Sequence, residues 1–537
     1  MEGAWVHRIL WGVAAMAAVA VLVGLVVGVV VPAVSEGPAR SPEECEPRDT
    51  RVSAPYAVTG YWVIPRADPC VTRRMVEAVH QIGGDTLITF GPRFDAGEPD
   101  PGFADCVVDG RPCAEVPGKR VRHVYTYTTS EEFGPGLLRC QGLDRRVEAG
   151  ERVFYRVSLA ASCDDPVHDL VLISTDGDGL GNLMSEAAAY GMKVFPGLPA
   201  ASQEPGKTWE PDHDHTDALT AFTGRVLADY RARFGGSAAF AGVYQSFELA
   251  MRDRAPNDPI IELYAAQHAT VAATLPGRTI LVSPYIDARR GRGFPPEQAG
   301  DGLADLARTR AGAPMAVAVQ DGRGTGKVPV HGPHERDAKV EPRLVPVVGD
   351  ISNAQAYYGA TRDYIAAAAR RVPPGVELWV NIEGFEPSPV DGECGRVDPL
   401  PLRGRTTKSR LDRQVMAAGT HAQKIISYGW EPFFTCQARY DTPSLADDIA
   451  SGWQEPIVVS AVRKDMNGQA GILVEGHNLR GGTLRFEPEG VTVEQGWYGR
   501  GRLESAWVPY TPGAPFTAIT ATNGAGESST TPYVMPQ

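Results

Sequence analysis

From Thr59 onward the chain alternates two kinds of segment: short runs of apolar, β-branched or aromatic residues, and longer alanine-rich stretches with helical spacing. A short apolar run followed by such a stretch is the sequence form of a βα unit. Strand-like runs begin at Thr59 (TGYWVIP), Asp85 (DTLITFG), Met192 (MKVFPGLP), Phe240 (FAGVYQSFE), Arg278 (RTILVSPY), Met315 (MAVAVQDG), Glu377 (ELWVNIE) and Lys424 (KIISYGWEPFF). Between them lie helix candidates such as VTRRMVEAVHQI, GNLMSEAAAYG, ALTAFTGRVLADYRARF, IIELYAAQHATVAATL and NAQAYYGATRDYIAAAARR. About eight units of this kind predict an α/β fold, a closed (β/α)8 TIM barrel, over residues 57–452.

Two segments break the rhythm. The gap between the second and third strands is far longer than an ordinary βα loop, and its stretches VRHVYTYTTS and GERVFYRVSLAAS read as antiparallel strands of an inserted subdomain at about 94–168. From Trp453 to Gln537 short alternating strands are separated by Gly and Asn turns, which predicts a β-sandwich. At the other end, residues 9–34 are uncharged and apolar over a length that exceeds the ~20 residues needed to cross a bilayer. They are expected to form a transmembrane helix or signal anchor, or a secretion signal if cleaved near Ala33. Residues 35–56, polar and proline-bearing, read as a stalk.

The chain has 537 residues and a net charge of -13, which gives no long-range attraction to phosphate backbones and argues against nucleic acid as a partner. All 8 cysteines follow the apolar run, as expected for a body in an oxidising, extracytoplasmic compartment. Proximity suggests Cys106 with Cys113, Cys140 with Cys163 and Cys394 with Cys436, although spacing does not fix connectivity. PDHDHTD lacks a metal-ligand spacing and DGDGLGN fails both the dinucleotide and calcium-loop patterns, so no metal or cofactor is expected.

In a TIM barrel the chemistry sits at the C-terminal ends of the strands. Acids there are Glu248, Asp287, Asp321 and Glu383. In the fourth strand Tyr244, Ser246 and Glu248 share a face against Val243 and Phe247; in the seventh Trp379, Asn381 and Glu383 share a face against Leu378, Val380 and Ile382. With the aliphatic sets turned to the helices, both glutamates face the pore, and a converging carboxyl pair is the equipment of glycoside hydrolysis. Gln320 is inward by the same phase, beside Asp321. Trp62, Trp209, Tyr244, Tyr285, Gln320, Asp321 and Asn381 are the candidate substrate-binding residues. A strand-end glutamate that merely bonds a loop amide or an arginine is the plain alternative, and Glu386 is the rival to Glu383 within its own motif.

The ordered set GYWVIP, MKVFPGLP, VYQSFE, SPY, VQDGRG and LWVNIEGFEP, spanning most of residues 56 to 440, resembles a bacterial domain-of-unknown-function family grouped with the TIM-barrel glycosyl hydrolases. GHNL and ATNGAGESSTTPYVM in the tail resemble the immunoglobulin-like IPT/TIG type. Glutamates ending the fourth and seventh strands are also similar to the large retaining glycosidase clan, which implies Glu248 as acid/base and Glu383 as nucleophile. Many members of that clan carry Asn before the acid/base, where this chain has Phe247. The reading is a membrane-anchored extracytoplasmic glycoside hydrolase-like protein that cleaves polysaccharide with a glutamate pair. A non-catalytic cell-surface polysaccharide-binding protein using the same barrel mouth is the alternative.

Overall fold

The computed structural model describes residues 41–97, 99, 101–330, 332–387, 403–437, 442–494 and 503–536. Eight parallel strands follow one another in chain order: β1 (Gly60–Trp62), β2 (Thr86–Ile88), β3 (Lys193–Phe195), β4 (Gly242–Gln245), β5 (Thr279–Val282), β6 (Met315–Gln320), β7 (Val376–Glu383) and β8 (Lys424–Tyr428). The sheet closes on itself. Gly60 of β1 pairs with Ile426 of β8, and isolated bridges Val194 to Phe240 and Gly197 to Tyr244 join β3 to β4. A helix returns after each strand: α1 (Pro69–Gln81), α2 (Gly179–Ala189), α3 (Thr216–Phe234), α4 (Pro259–Thr274), α5 (Pro296–Ala307), α6 (Thr361–Ala369), α7 (Lys408–Ala418) and α8 (Leu445–Gly452). The strand-helix alternation read from the sequence is therefore a TIM barrel.

Side-chain phase divides the barrel into two layers. Met315, Val317 and Val319 of β6 and Leu378, Val380 and Ile382 of β7 join the large core beneath the helices. Trp62, Ile88, Phe195, Tyr244, Leu281, Ala316, Ala318, Trp379 and Ile426 pack together inside the barrel. Small alanines on β6 opposite large aromatics on β1, β4 and β7 let the interior fill without a pore. Trp379 belongs to this interior packing, with its indole N–H donated to Glu377 at 2.8 Å. Two glycines bring backbones together near the mouth. A Cβ on Gly91 would lie 1.7 Å from the Leu198 carbonyl oxygen, and one on Gly197 would lie 2.0 Å from the Gly91 nitrogen.

The helix expected over residues 353–371 is broken. Ser352 caps a short turn, Asn353–Ala356, and Tyr357 is extended (φ -128°, ψ 153°). Tyr358 N–H then bonds to the Ala288 carbonyl, and Arg289 bridges Tyr357, so the β5 loop captures backbone that helical periodicity alone assigns to a continuous helix.

The insertion after β2 supplies five strands of a six-stranded sheet, Arg93–Ala96, Arg120–Thr129, Arg145–Ala149, Arg152–Ser158 and Val167–Thr175, and the sixth, Ala200–Ala201, follows β3. It is mixed rather than purely antiparallel, because Arg120–Thr129 runs parallel to Val167–Thr175. Phe94 and Tyr127 pack on Phe222 of α3, which seats the sheet on the barrel. Disulfides Cys106–Cys113 and Cys140–Cys163 lie within it. Closing a loop across 23 residues restricts the unfolded chain, so replacing Cys140 and Cys163 by Ser is expected to cost about 3 kcal/mol. A lowered denaturation midpoint in oxidising buffer checks this.

A third bridge, Cys45–Cys70, changes the picture of the supposed stalk. It ties the segment before β1 to α1, Arg48 forms a bidentate pair with Glu186 of α2 at 2.7 and 2.9 Å, and Arg73 donates to the Glu46 carbonyl at 2.8 Å. Residues 45–56 are thus part of the barrel surface; their polarity serves ion pairs rather than a free linker. Cys436 is also disulfide-bonded, while Cys394, its suggested partner, lies outside the described residues.

The expected membrane helix is corrected. Among the described residues no helix is long and apolar enough to cross a membrane, and the apolar run 9–34 lies outside them. The fold class is a TIM barrel with a disulfide-bearing insertion and a C-terminal β-domain. In that domain a three-stranded antiparallel sheet (Ile457–Arg463, Ile472–His477, Glu504–Val508) and a four-stranded one (Thr483–Glu487, Val491–Glu494, Phe516–Thr522, Tyr533–Pro536) share a core of Ile472, Val474, Leu484, Phe486, Val508 and Ile519. Lys408 at the start of α7 joins it to the barrel through Glu455 at 2.9 Å.

Candidate active site

The C-terminal ends of β4 and β7 carry the two glutamates singled out by phase. β4 continues past Gln245 in a segment held from several sides. Ser246 Oγ accepts the Gly91 N–H at 3.0 Å, Gln245 Nε2 donates to Gln267 of α4 at 2.9 Å, and Tyr264 of α4 donates its hydroxyl to the Phe247 carbonyl. Glu248 emerges half-buried from this anchored backbone. Its Oε1 accepts the Tyr244 hydroxyl at 3.2 Å. Burial pushes its carboxyl up to about 6, against the opposing pull of the Gln320 hydrogen bond, the Lys327 charge and the Tyr244 hydrogen bond, while the negative charge of Glu383 adds to the rise. The two glutamates are therefore close enough to feel each other's charge.

Glu383, 4 % exposed, is the last residue of β7. Its Oε2 accepts both the backbone N–H and the hydroxyl of Thr325, at 2.8 and 3.2 Å, from the loop after β6. Beneath it Asp321 is fully buried. Asp321 Oδ1 accepts the backbone N–H groups of Glu383 and Arg323, each at 3.1 Å, and Oδ2 accepts Gln414 Nε2 of α7 at 2.7 Å. Burial, then the charge of Glu383, raises the Asp321 carboxyl to about 7.

The other candidates fall into three groups. Tyr244, Tyr285 and Gln320 gather around Glu248. Gln320 Nε2 is also donated to the Ser283 carbonyl at 2.8 Å, and half-buried Tyr285 lies under the Lys327 ammonium, 3.7 Å from its ring centroid. Tyr285 is raised to about 12, by burial first and then by Asp287 and Glu248. Trp62, Asn381 and Asp321 are buried, as Tyr244 is: Trp62 stands edge-on to Tyr244 with ring centroids 5.4 Å apart, and Asn381 donates to Ser283 Oγ at 3.0 Å. Strand phase reports which way a side chain points and not how deep in the barrel it lies. Trp209 sits apart on the hairpin Gln203–Glu204/Lys207–Pro211 after β3, 54 % exposed.

The rival acids are engaged elsewhere. Glu386, fully buried, is held by Arg323 at 2.8 Å and by the Thr406 hydroxyl at 3.1 Å, and Arg323 also reaches Glu341 at 2.6 Å. Asp287 is clamped by Arg289 at 2.9 and 2.6 Å. Neither is available for chemistry. Replacing Arg323 by Met leaves the Glu386 charge buried with only Arg410 nearby, at 3.4 Å, and is expected to cost about 3–5 kcal/mol in urea unfolding.

Sequence reasoning missed Thr325, Gln414 and Lys327. The run DGRGTGK after β6, too glycine-rich to be a helix, was the available signal for the first and last. Gln414 carries none, because it lies inside an ordinary amphipathic helix.

The family model described as Domain of unknown function (DUF4434) matches residues 160–440, a span that holds both glutamates. No curated protein matches the chain. Solved structures similar to it include a provisionally named alpha-L-fucosidase from Bacteroides thetaiotaomicron VPI-5482, at 16% identity and a TM-score of 0.42, over 78% of this chain and 98% of that one. The intracellular xylanase TsXylA from Thermoanaerobacterium saccharolyticum JW/SL-YS485 is similar at 14% identity and a TM-score of 0.33, over 70% and 85% of the two chains. Exo-beta-1,4-mannosidase Op5Man5 from Opitutaceae bacterium strain TAV5 follows at 11% and 0.32, over 71% and 53%. Likeness at this level transfers no residue role to this chain.

Proposed function

The chain belongs to the family described as Domain of unknown function (DUF4434), and from that premise we propose that it is a glycoside hydrolase acting on a polysaccharide, with Glu248 and Glu383 as its catalytic carboxyls. One observation carries the reading: two glutamates stand at the C-terminal ends of β4 and β7, and neither pairs with an arginine among the described residues. Glu248, raised by burial, holds a proton to give; Glu383, whose Oε2 accepts two Thr325 donors, is the group held in place to attack.

In the double-displacement form, which we favour, the carboxylate of Glu383 attacks the anomeric carbon while Glu248 transfers its proton to the departing glycosidic oxygen. The C–O bond breaks and a glycosyl ester of Glu383 forms. Glu248, now ionised, takes a proton from water as that water attacks the anomeric carbon, which releases the sugar and restores both groups. Tyr285 and Lys327 border the acid and are suited to orient substrate hydroxyls, and Trp209 on its hairpin offers an apolar face for a sugar ring. Its disulfides support work in an oxidising, extracytoplasmic compartment.

The exposed Trp209 also favours a second reading, a polysaccharide-binding barrel without turnover. Reducing-end release by the full chain across bacterial and plant polysaccharides, beside Glu248→Gln and Glu383→Gln, separates the two. Cleavage lost in both variants supports the hydrolase; binding without cleavage in the wild type replaces it with the binding protein.

A further inference from the structure

Asp321 and Glu383 are both buried, and among the described residues neither forms an ion pair. Arg323, two residues along the same loop, is turned away toward Glu386 and Glu341. The donors to Asp321 are uncharged: two backbone N–H groups and the Gln414 amide. Gln414 Nε2 also donates to the Glu383 carbonyl at 2.9 Å, so α7, the β6 loop and the end of β7 are joined at one point. Asp321 N–H itself bonds to the Asn381 carbonyl at 3.0 Å, which locks the acid to the strand that carries Glu383.

From this geometry we propose that Asp321 is a positioning residue for the reaction: it fixes the β7 end under Glu383. The inference rests on the proposed glycosidase reading for its role in turnover, though the pairing itself does not. A carboxyl buried near a second acid and without an ion pair resists ionisation, so Asp321 keeps its proton toward neutrality. Below about 7 Asp321 holds that proton. As pH rises through that value Asp321 ionises, and its new charge disturbs the β7 backbone it holds beneath Glu383. The groups facing the pair are the Thr325 N–H and hydroxyl and the Arg323 N–H from the β6 loop, Gln414 from α7, and Glu248 from β4.

The test is carboxyl-carbon NMR titration of the full chain labelled at aspartate, with the Asp321 signal identified by its loss in Asp321→Asn. In the wild type the midpoint is expected at about 7, and in Glu383→Gln it should move down toward the ordinary aspartate range. An unmoved midpoint in Glu383→Gln overturns the pairing, whatever the enzyme cleaves. In turnover, the wild-type rate should fall with a limiting slope of two protons above about 7, and Asp321→Asn should keep measurable turnover with a slope of one. An Asp321→Asn profile identical to the wild type overturns the positioning role. Absence of any cleavage by the wild type, with the NMR shift present, sinks the glycosidase reading and leaves the acid pair standing.

Discussion

Glu383→Gln is expected to lower kcat for polysaccharide hydrolysis by about 10⁴-fold or more, with little change in folding stability. The size follows from the role. A nucleophile removed outright takes with it the whole covalent route, and such losses run to several powers of ten because the remaining groups cannot act without it. Folding should be spared because the amide keeps the size of the carboxyl and its carbonyl still accepts from Thr325 at the Oε2 position. Comparison of steady-state kcat with the thermal unfolding midpoint checks both halves. A second variant sharpens the assignment: Glu383→Ala opens space at the anomeric carbon, and azide should restore turnover as a glycosyl azide. Product stereochemistry in the wild type, read by proton NMR at early times, then decides between the double displacement and a single inversion. Retention supports Glu383 as nucleophile, and inversion makes it the base that activates water.

Glu248→Gln carries the other large effect, about 10²–10⁴-fold in kcat on unactivated glycosides. The loss should shrink for aryl glycosides whose leaving group departs without a proton. That dependence marks a general acid and distinguishes Glu248 from a residue that only binds. The pH profile gives an independent reading. Burial raises Glu248 to about 6, so the acid form dominates below that value and is lost above it. Wild-type kcat/KM is therefore expected to fall as pH rises through about 6, and this limb should vanish in Glu248→Gln. A fall at about 6 that persists in the variant would move the acid elsewhere; the fall above about 7 belongs to Asp321 and should remain.

The alternating pattern made the barrel legible because a TIM barrel is a local code. Each strand need only face its aliphatic set outward and be followed by a helix long enough to return, and both properties are written in a period of two and a period of 3.6. The same period fixed which way Glu248, Glu383, Gln320 and Asn381 point. It did not fix depth. Asp321, Trp62 and Asn381 share the inward or strand-end signature of a site residue, and all three are buried, whereas Tyr285 with the same signature is half-buried. Glu386, three residues beyond Glu383, is set apart from it by Arg323, which folding brings from the loop after β6.

What the sequence by itself determined is the order of eight βα units, the inserted subdomain, the β-domain after Trp453 and the two strand-end glutamates, all of them consequences of short-range periodicity. Only the tertiary structure decided which acids are paired with arginine, that Thr325 holds Glu383, that Gln414 ties Asp321 beneath it, and that the segment from Cys45 is fastened to α1 rather than free. Those contacts join residues tens to hundreds of positions apart. Charge, burial and hydrogen bonding depend on distance in space, and side-chain periodicity along the chain holds no record of it.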